Sequence, residues 1–355
     1  MNTGPIDAIA RAVLYEGYLL YPYRPSSVKN RQRFNFGVLY PKSYSEVHEG
    51  SDPWSLETEC LVEGDSRTAI EVRIRFLKIV DRSVWRLANA APGPGSSQES
   101  LFERVAELEV GHAVHASWEE AVECEVRVPR NRLARLTEVP FHWAFAFPGK
   151  SESQLLHDSE GRLVGRILRR QEAVLGRVEI EAARAGGIWK LHVRLENPTP
   201  VEPREAQQLP RSAALMLSMV SAHVLLGVND GQFVSLLEPP EKLSALAASC
   251  RNLGAWPVLV GSEGDRGAML ASPIILYDYP QVAPESPGDL FDGTEIDEIL
   301  ALRILTMTED EKNEMRRSDD CARKILERTE SLPMESLIKL HGRLRELRPG
   351  KEELP

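Results

Sequence analysis

The densest group of side chains able to do chemistry lies in PESPGDLFDGTEIDEIL, where Glu285, Asp289, Asp292, Glu295, Asp297 and Glu298 fall within fourteen positions. Carboxylates at that density are the donors a hard cation takes. Their spacing is not that of an EF-hand loop, in which ligands alternate and a glycine holds the sixth place. Acidic residues at a helix start also interact favourably with the helix dipole, by about 0.3–1 kcal/mol each, with no metal present. Capping and solvation is therefore the favoured reading. A partner-binding loop using Asp289, Asp292 and Glu295 comes second, and a metal site third.

The histidines offer a weaker set. GHAVHASWEE places His112 and His115 three apart, a spacing that shares one face of a helix and opposes the two side chains on a strand. A metal there would need a further ligand such as His223, and no H-E-x-x-H is present. Cys60, Cys124, Cys250 and Cys321 are scattered, with no C-x-x-C pair, so they suit neither a disulfide framework nor a zinc or iron–sulfur cradle. We expect ordinary thiols and no cofactor. No G-x-S-x-G elbow, Walker loop or dinucleotide fingerprint occurs, and GVNDGQF and GSEGDRG read as glycine turns.

A recognition surface is the alternative to a reactive centre. YEGYLLYPYRPSSVKNRQRFNFGVLYPKSY holds six of the eight tyrosines, and between Gly17 and Ser45 it carries Arg24, Lys29, Arg31, Arg33 and Lys42 without one acid. Tyrosine and arginine give large contact area with polar tips, which suits a protein partner. Tyr21, Tyr23, Arg24, Lys29, Arg31 and Arg33 are the candidate contacts. The plainer reading packs these tyrosines on a sheet and pairs the cations with the abundant Glu. Base stacking by the aromatics is a third reading, but the net charge of −10 opposes a nucleic-acid partner.

The elements that must position these groups are mainly strands up to residue 200. TAIEVRIRFLKIV alternates Ile70, Val72, Ile74 and Phe76 with Glu71, Arg73 and Arg75, the period of a half-buried strand. EEAVECEVRV does the same with Val122, Cys124, Val126 and Val128. RVEIEAARAGGIWKLHVRLE reads as a hairpin turning at Gly186-Gly187. One helix is expected in this half, over ESLFERVAELEV, from the spacing of Leu101, Phe102, Val105 and Leu108. Strands with one polar face need a second layer, so a sandwich-like arrangement is expected.

NPTPVEPREAQQLP, with four prolines in residues 197–210, cannot continue a sheet and marks a hinge. After it we expect a buried helix in RSAALMLSMVSAHVLLGV leading into a strand, a helix in PEKLSALAASC, and strands in GAWPVLVG and SPIILYDYP. Thr294 and the Thr308–Glu311 capping box start helices, and SLPMESLIKLHGRLREL forms a last amphipathic one. The expected fold class is α+β: a β-rich, sandwich-like domain over 1–200, a smaller α+β domain over 205–290, and helices over 291–349.

With 42% hydrophobic and 27% charged residues, the 355-residue chain has the composition of a folded globular protein. No run approaches 18 apolar residues and no secretory signal pattern is present, so no membrane insertion and a cytoplasmic location are expected.

Three stretches carry a resemblance: YEGYLLYPYRPSSVKNRQRFNFGVLYP, CRNLGAWPVLVG, and SPIILYDYPQVAPESPGDLFDGTEIDEILALRILTMTEDEK. Together they resemble a bacterial protein family associated with the gene neighbourhoods of uptake or high-affinity NiFe-hydrogenases. The resemblance implies an accessory role in assembly, maturation or attachment of the hydrogenase, with hydrogenase subunits or maturation factors as protein partners. It brings no catalytic or ligand residues with it. A non-enzymatic interaction protein is the expected function. The alternatives are a metal-dependent hydrolase using the 289–298 carboxylates with His112, His115 or His223, and a nucleic-acid-binding regulator using the basic N-terminal patch.

Overall fold

The computed structural model describes residues 3–15, 34–48, 52–88, 101–111, 113–281, 302–318 and 320–331. Tyr21, Tyr23, Arg24, Lys29, Arg31, Arg33, His112, Asp289, Asp292 and Glu295 lie outside the described residues, as do Thr294 and 332–347.

The chain opens on a helix, α1 (Thr3–Leu14). Ile6, Ile9, Ala10, Val13 and Leu14 recur at helical spacing and are all buried. A short helix α2 (Lys42–Val47) follows Pro41, whose fixed φ suits the residue before a first turn. Strand β1 (Ser55–Leu87) is 33 residues long and contains the expected alternating segment.

After β1 come β2 (Phe102–Val105), β3 (Glu107–Val110), β4 (Ala113–Ala116) and β5 (Trp118–Arg132). Over the described part of the helix expected at 99–110, two short strands stand instead. Glu107-Leu108-Glu109-Val110 has the two-residue period, and β2 finds its partners on the open edge of β1, so tertiary pairing overrides a spacing that also fits a helix. On β5, Cys124, Val126 and Val128 are buried as expected, while Val122 is exposed.

A single turn α3 (Leu133–Leu136) leads into β6 (Phe141–Phe147), β7 (Lys150–His157), β8 (Leu163–Gln171), β9 (Val174–Ala185) and β10 (Ile188–Glu196). The β9–β10 hairpin turns at Gly186 (φ +57°) and Gly187 (φ +86°), two positive φ values that favour glycine in a two-residue loop. Short helices α4 (Pro203–Ala206) and α5 (Arg211–Met216) precede β11 (Val220–Val234). The apolar run from 211 is therefore one short helix and then a long strand.

A 3-10 turn and α6 (Ser244–Ala248) lead to β12 (Trp256–Leu259) and β13 (Ala268–Ser272). The strand expected in SPIILYDYP ends instead at its first residue: Pro273 cannot donate to a ladder, and 273–280 run without regular structure. Helices α7 (Glu309–Ser318) and α8 (Asp320–Glu330) follow. The Thr308 capping box forms, with Thr308 N–H donating to Glu311 Oε2 (2.9 Å) and Glu311 N–H to Thr308 Oγ1 (3.3 Å).

β structure predominates, in one antiparallel sheet of eleven strands among the described residues. Strand β1 is its spine. Along one edge β1 pairs in turn with β10, β5 and β2, and along the other with β11 and then β8. Bulges between Gly64 and Ala69 and between Arg75 and Leu77 break the β1–β11 register, which bends the strand and increases its local twist. The 197–210 segment connects β10 and β11, both partners of β1.

The two faces of β1 bury different things. Val72, Ile74 and Phe76 join Val178, Leu191, Val193 and Val224 in the largest apolar cluster. Leu77 and Ile79, on the other face, pack with Tyr15, Tyr40, Tyr44, Met216, Met315 and Leu326 from the helical elements. Each such aliphatic or aromatic side chain contributes about 1.5–3 kcal/mol when fully buried. No helix among the described residues is long and apolar enough to cross a membrane.

Candidate binding cleft

The described part of the tyrosine-rich run is framework. Tyr40 and Tyr44 are buried, with ring centroids 5.3 Å apart, and the Arg211 guanidinium lies over the Tyr40 ring. Burial pushes the Tyr40 phenol well above its usual range. Tyr15 donates its hydroxyl to Glu123 (2.8 Å). Asn197, fully buried, ties the run down: its Nδ2 donates to the carbonyls of Leu39 (2.8 Å) and Leu217 (3.0 Å). These described tyrosines are spent on packing.

Of the metal candidates, His115 and His223 lie among the described residues, on different strands. His115 sits half-buried on β4, its basicity lowered by burial and by the charge of Arg82. His223 is fully buried on β11, with Nδ1 donating to the Ser221 carbonyl (2.9 Å) and its imidazole pushed down to about 4, chiefly by burial. Among the described residues no group of three His, Cys, Asp or Glu is placed to hold a metal ion. Burial raises the Cys124 and Cys250 thiols to about 11 and that of Cys60 well above its usual value, so none is poised as a thiolate. Lys78, also buried, donates Nζ to the Pro148 carbonyl (2.7 Å).

The structure instead opens a cleft of about 840 Å³ where the end of β11 meets the turn after β12 and the irregular segment 277–279. One wall is Val234, Ser235, Leu237 and Glu238; the other is Tyr277, Asp278 and Tyr279, with Glu263 and Arg266 between them. Sequence reasoning passed over it. GSEGDRG reads as a turn and YDY as part of a strand, although an aromatic–acid–aromatic triplet ending at a proline is a usable signal of an exposed recognition segment.

The cleft is built on fixed points. Arg266 donates Nε to the Phe233 carbonyl (2.7 Å) and Nη2 to Glu63 (2.7 Å), fastening the turn to β11 and β1. Asp278 accepts the Leu259 N–H through Oδ1 (2.7 Å) and the Ser235 hydroxyl through Oδ2. Ser235 Oγ in turn accepts the N–H groups of Leu237 (3.1 Å) and Glu238 (2.9 Å). Tyr279 adopts φ +56° and donates its N–H to the Leu259 carbonyl (2.7 Å). Burial and the adjacent Asp278 carboxylate raise its phenol.

The CRNLGAWP segment is held to β1, since Asn252 Oδ1 accepts from Thr58 Oγ1 (2.9 Å) and the Glu59 N–H (3.0 Å). On this frame Tyr277 stands out at 86% exposure and Leu237 at 52%. Three carboxylates line the cleft against one guanidinium, and that guanidinium is committed to Glu63. The arrangement can receive an apolar or aromatic group flanked by positive charge. No protein-family model matches the chain, and no curated protein matches it.

Proposed function

We propose that this chain is a non-enzymatic accessory protein that binds a partner protein, with the cleft at Tyr277 as a principal contact. The observation that carries the reading is the pairing of opposites there: large apolar side chains left in water on a backbone pinned by hydrogen bonds. Exposed aromatics on a rigid frame give interface energy at little ordering cost. In this reading residues 1–200 form a β-rich, sandwich-like platform, 205–290 a smaller α+β unit that presents the cleft, and 291–349 a helical segment.

The Tyr/Arg stretch 21–33 and the acidic positions Asp289, Asp292 and Glu295 belong to the proposed contact surface as well. The second group begins ten positions after Tyr279 in sequence. The family resemblance supplies the partner class, hydrogenase subunits or their maturation factors, and a cytoplasmic location.

Co-purification from cells making NiFe-hydrogenase, with the bound proteins identified by mass spectrometry, tests the proposal. Wild type should retain a hydrogenase subunit or maturation factor, and Tyr277→Ala combined with Leu237→Asp should lose it. Equal recovery by both, or none by wild type, would count against the reading.

A further inference from the structure

Strand β6, Phe141-His142-Trp143-Ala144-Phe145-Ala146-Phe147, ends the sheet on one side. Among the described residues it pairs only with β9, in register from Phe141–Ile180 to Phe147–Val174 with no bulge. In an antiparallel strand half of the N–H and C=O groups point to each side, so among the described residues its outer row meets no strand. The odd positions are all aromatic. Phe141 and Trp143 stack with centroids 6.4 Å apart, and Phe145 and Phe147 lean on Phe76 of β1. Trp143 is 37% exposed, and His142, Ala144 and Ala146 on the other face are exposed too. Among the described residues the main apolar cluster therefore runs out to a border that no other strand covers.

Other border strands of this sheet carry devices that stop edge pairing. β5 has Pro129 with Glu123, Glu125, Arg127 and Arg130; β7 has Lys150 and Glu152; β12 has Pro257; β2 is four residues with Glu103 and Arg104. Proline, charge and shortness are the usual means of blunting an edge. β6 has none of them over seven residues.

We propose that β6 is a self-association edge, through which two copies of this chain pair antiparallel, β6 to β6, about a two-fold axis at Ala144. The strand's own chemistry selects a second copy as occupant. An unpaired backbone row takes an extended strand, and pairing about Ala144 sets Phe141 opposite Phe147 and Trp143 opposite Phe145. Every aromatic stays on one face, where it extends the buried layer, and such cross-strand pairs each contribute about 0.2–1 kcal/mol. His142 is the strand's only ionisable residue and falls opposite Ala146, so no like charges meet. The contact is isologous and closes at two copies.

Light scattering after size exclusion on the full chain tests this, with Ala144→Lys and Ala144→Glu made separately. Wild type should be a dimer. Each variant should be a monomer with unchanged circular dichroism; both should lose the dimer's contribution to the thermal midpoint, and Ala144→Lys somewhat more, because it also sets a cation opposite Arg177 of β9. An equimolar mixture of the two should restore the dimer. A monomeric wild type, a dimer that survives both substitutions, or a mixture of folded variants that stays monomeric would overturn the proposal. Should either variant unfold, the double variant His142→Lys with Ala146→Lys takes its place, since it sets lysine opposite lysine twice across the axis; it should be a monomer, and a dimer of it overturns the proposal equally.

Discussion

Asp278 and Ser235, 43 residues apart in sequence, hold the two walls of the cleft together through a single hydroxyl. The Ser235 oxygen donates its proton to Asp278 while accepting two backbone N–H groups from its own loop. One carboxylate therefore sets the position of Tyr277 and, through Ser235, that of Leu237.

Asp278→Ala should release both walls. Losing the hydrogen bonds that reach this carboxylate, with the Leu259 N–H left unpaired, should lower stability by about 1–3 kcal/mol in urea unfolding. Partner recovery should fall with it. Unchanged stability would show that the walls are held by something else.

His223 makes stability depend on pH. Its folded imidazole is held near 4 against an ordinary value of 6.5, chiefly by burial. Between those values the unfolded chain binds a proton that the folded chain does not, so stability rises with pH. The contribution is complete above about 6.5 and disappears as pH falls toward 4, a loss of up to roughly 3 kcal/mol at 1.36 kcal/mol per unit. Urea midpoints measured across this range should fall on acidification, and His223→Gln should flatten that limb. Parallel curves would contradict the assignment.

Gly176→Val should disturb the β6 border. A Cβ on Gly176 would meet the ring of Phe145, its cross-strand partner. The ring must turn outward, at a cost of about 1–3 kcal/mol for overpacking. Thermal unfolding reads the loss, and an unchanged midpoint would mean that Phe145 has another seat.

Thr308→Ala should cost about 1 kcal/mol by removing one half of the capping box. The effect should be local: amide exchange should speed up in 309–318 and stay constant in β9 and β10. Because this helix start lies outside the cleft, partner recovery should be unaffected.

What the sequence made legible was local. The Gly186-Gly187 turn and the Thr308–Glu311 box depend on residues within a few positions of each other, and both form. The alternation from Ile70 to Phe76 marks a strand because one face of it is buried. Helix α1 was equally legible in Ile6, Ile9, Ala10, Val13 and Leu14 and was passed over for the β-rich segments after it.

The 99–110 stretch shows the limit, since Phe102, Val105 and Leu108 fit a helical stripe until the free edge of β1 pairs with Phe102–Val105 and β4 pairs with the strand carrying Leu108. The cleft was beyond reach for a related reason. Ser235 and Asp278 are unremarkable residues whose meeting depends on how β11, β12 and β13 stack, and nothing near either residue announces the other.

The most direct measurement places a photoreactive phenylalanine analogue at Tyr277 in cells, with the same analogue at Glu160, an exposed turn residue, as control. A cleft that binds a partner predicts a discrete adduct to one other protein from position 277 and none from 160. No adduct at 277, or the same adducts from both positions, would contradict the account.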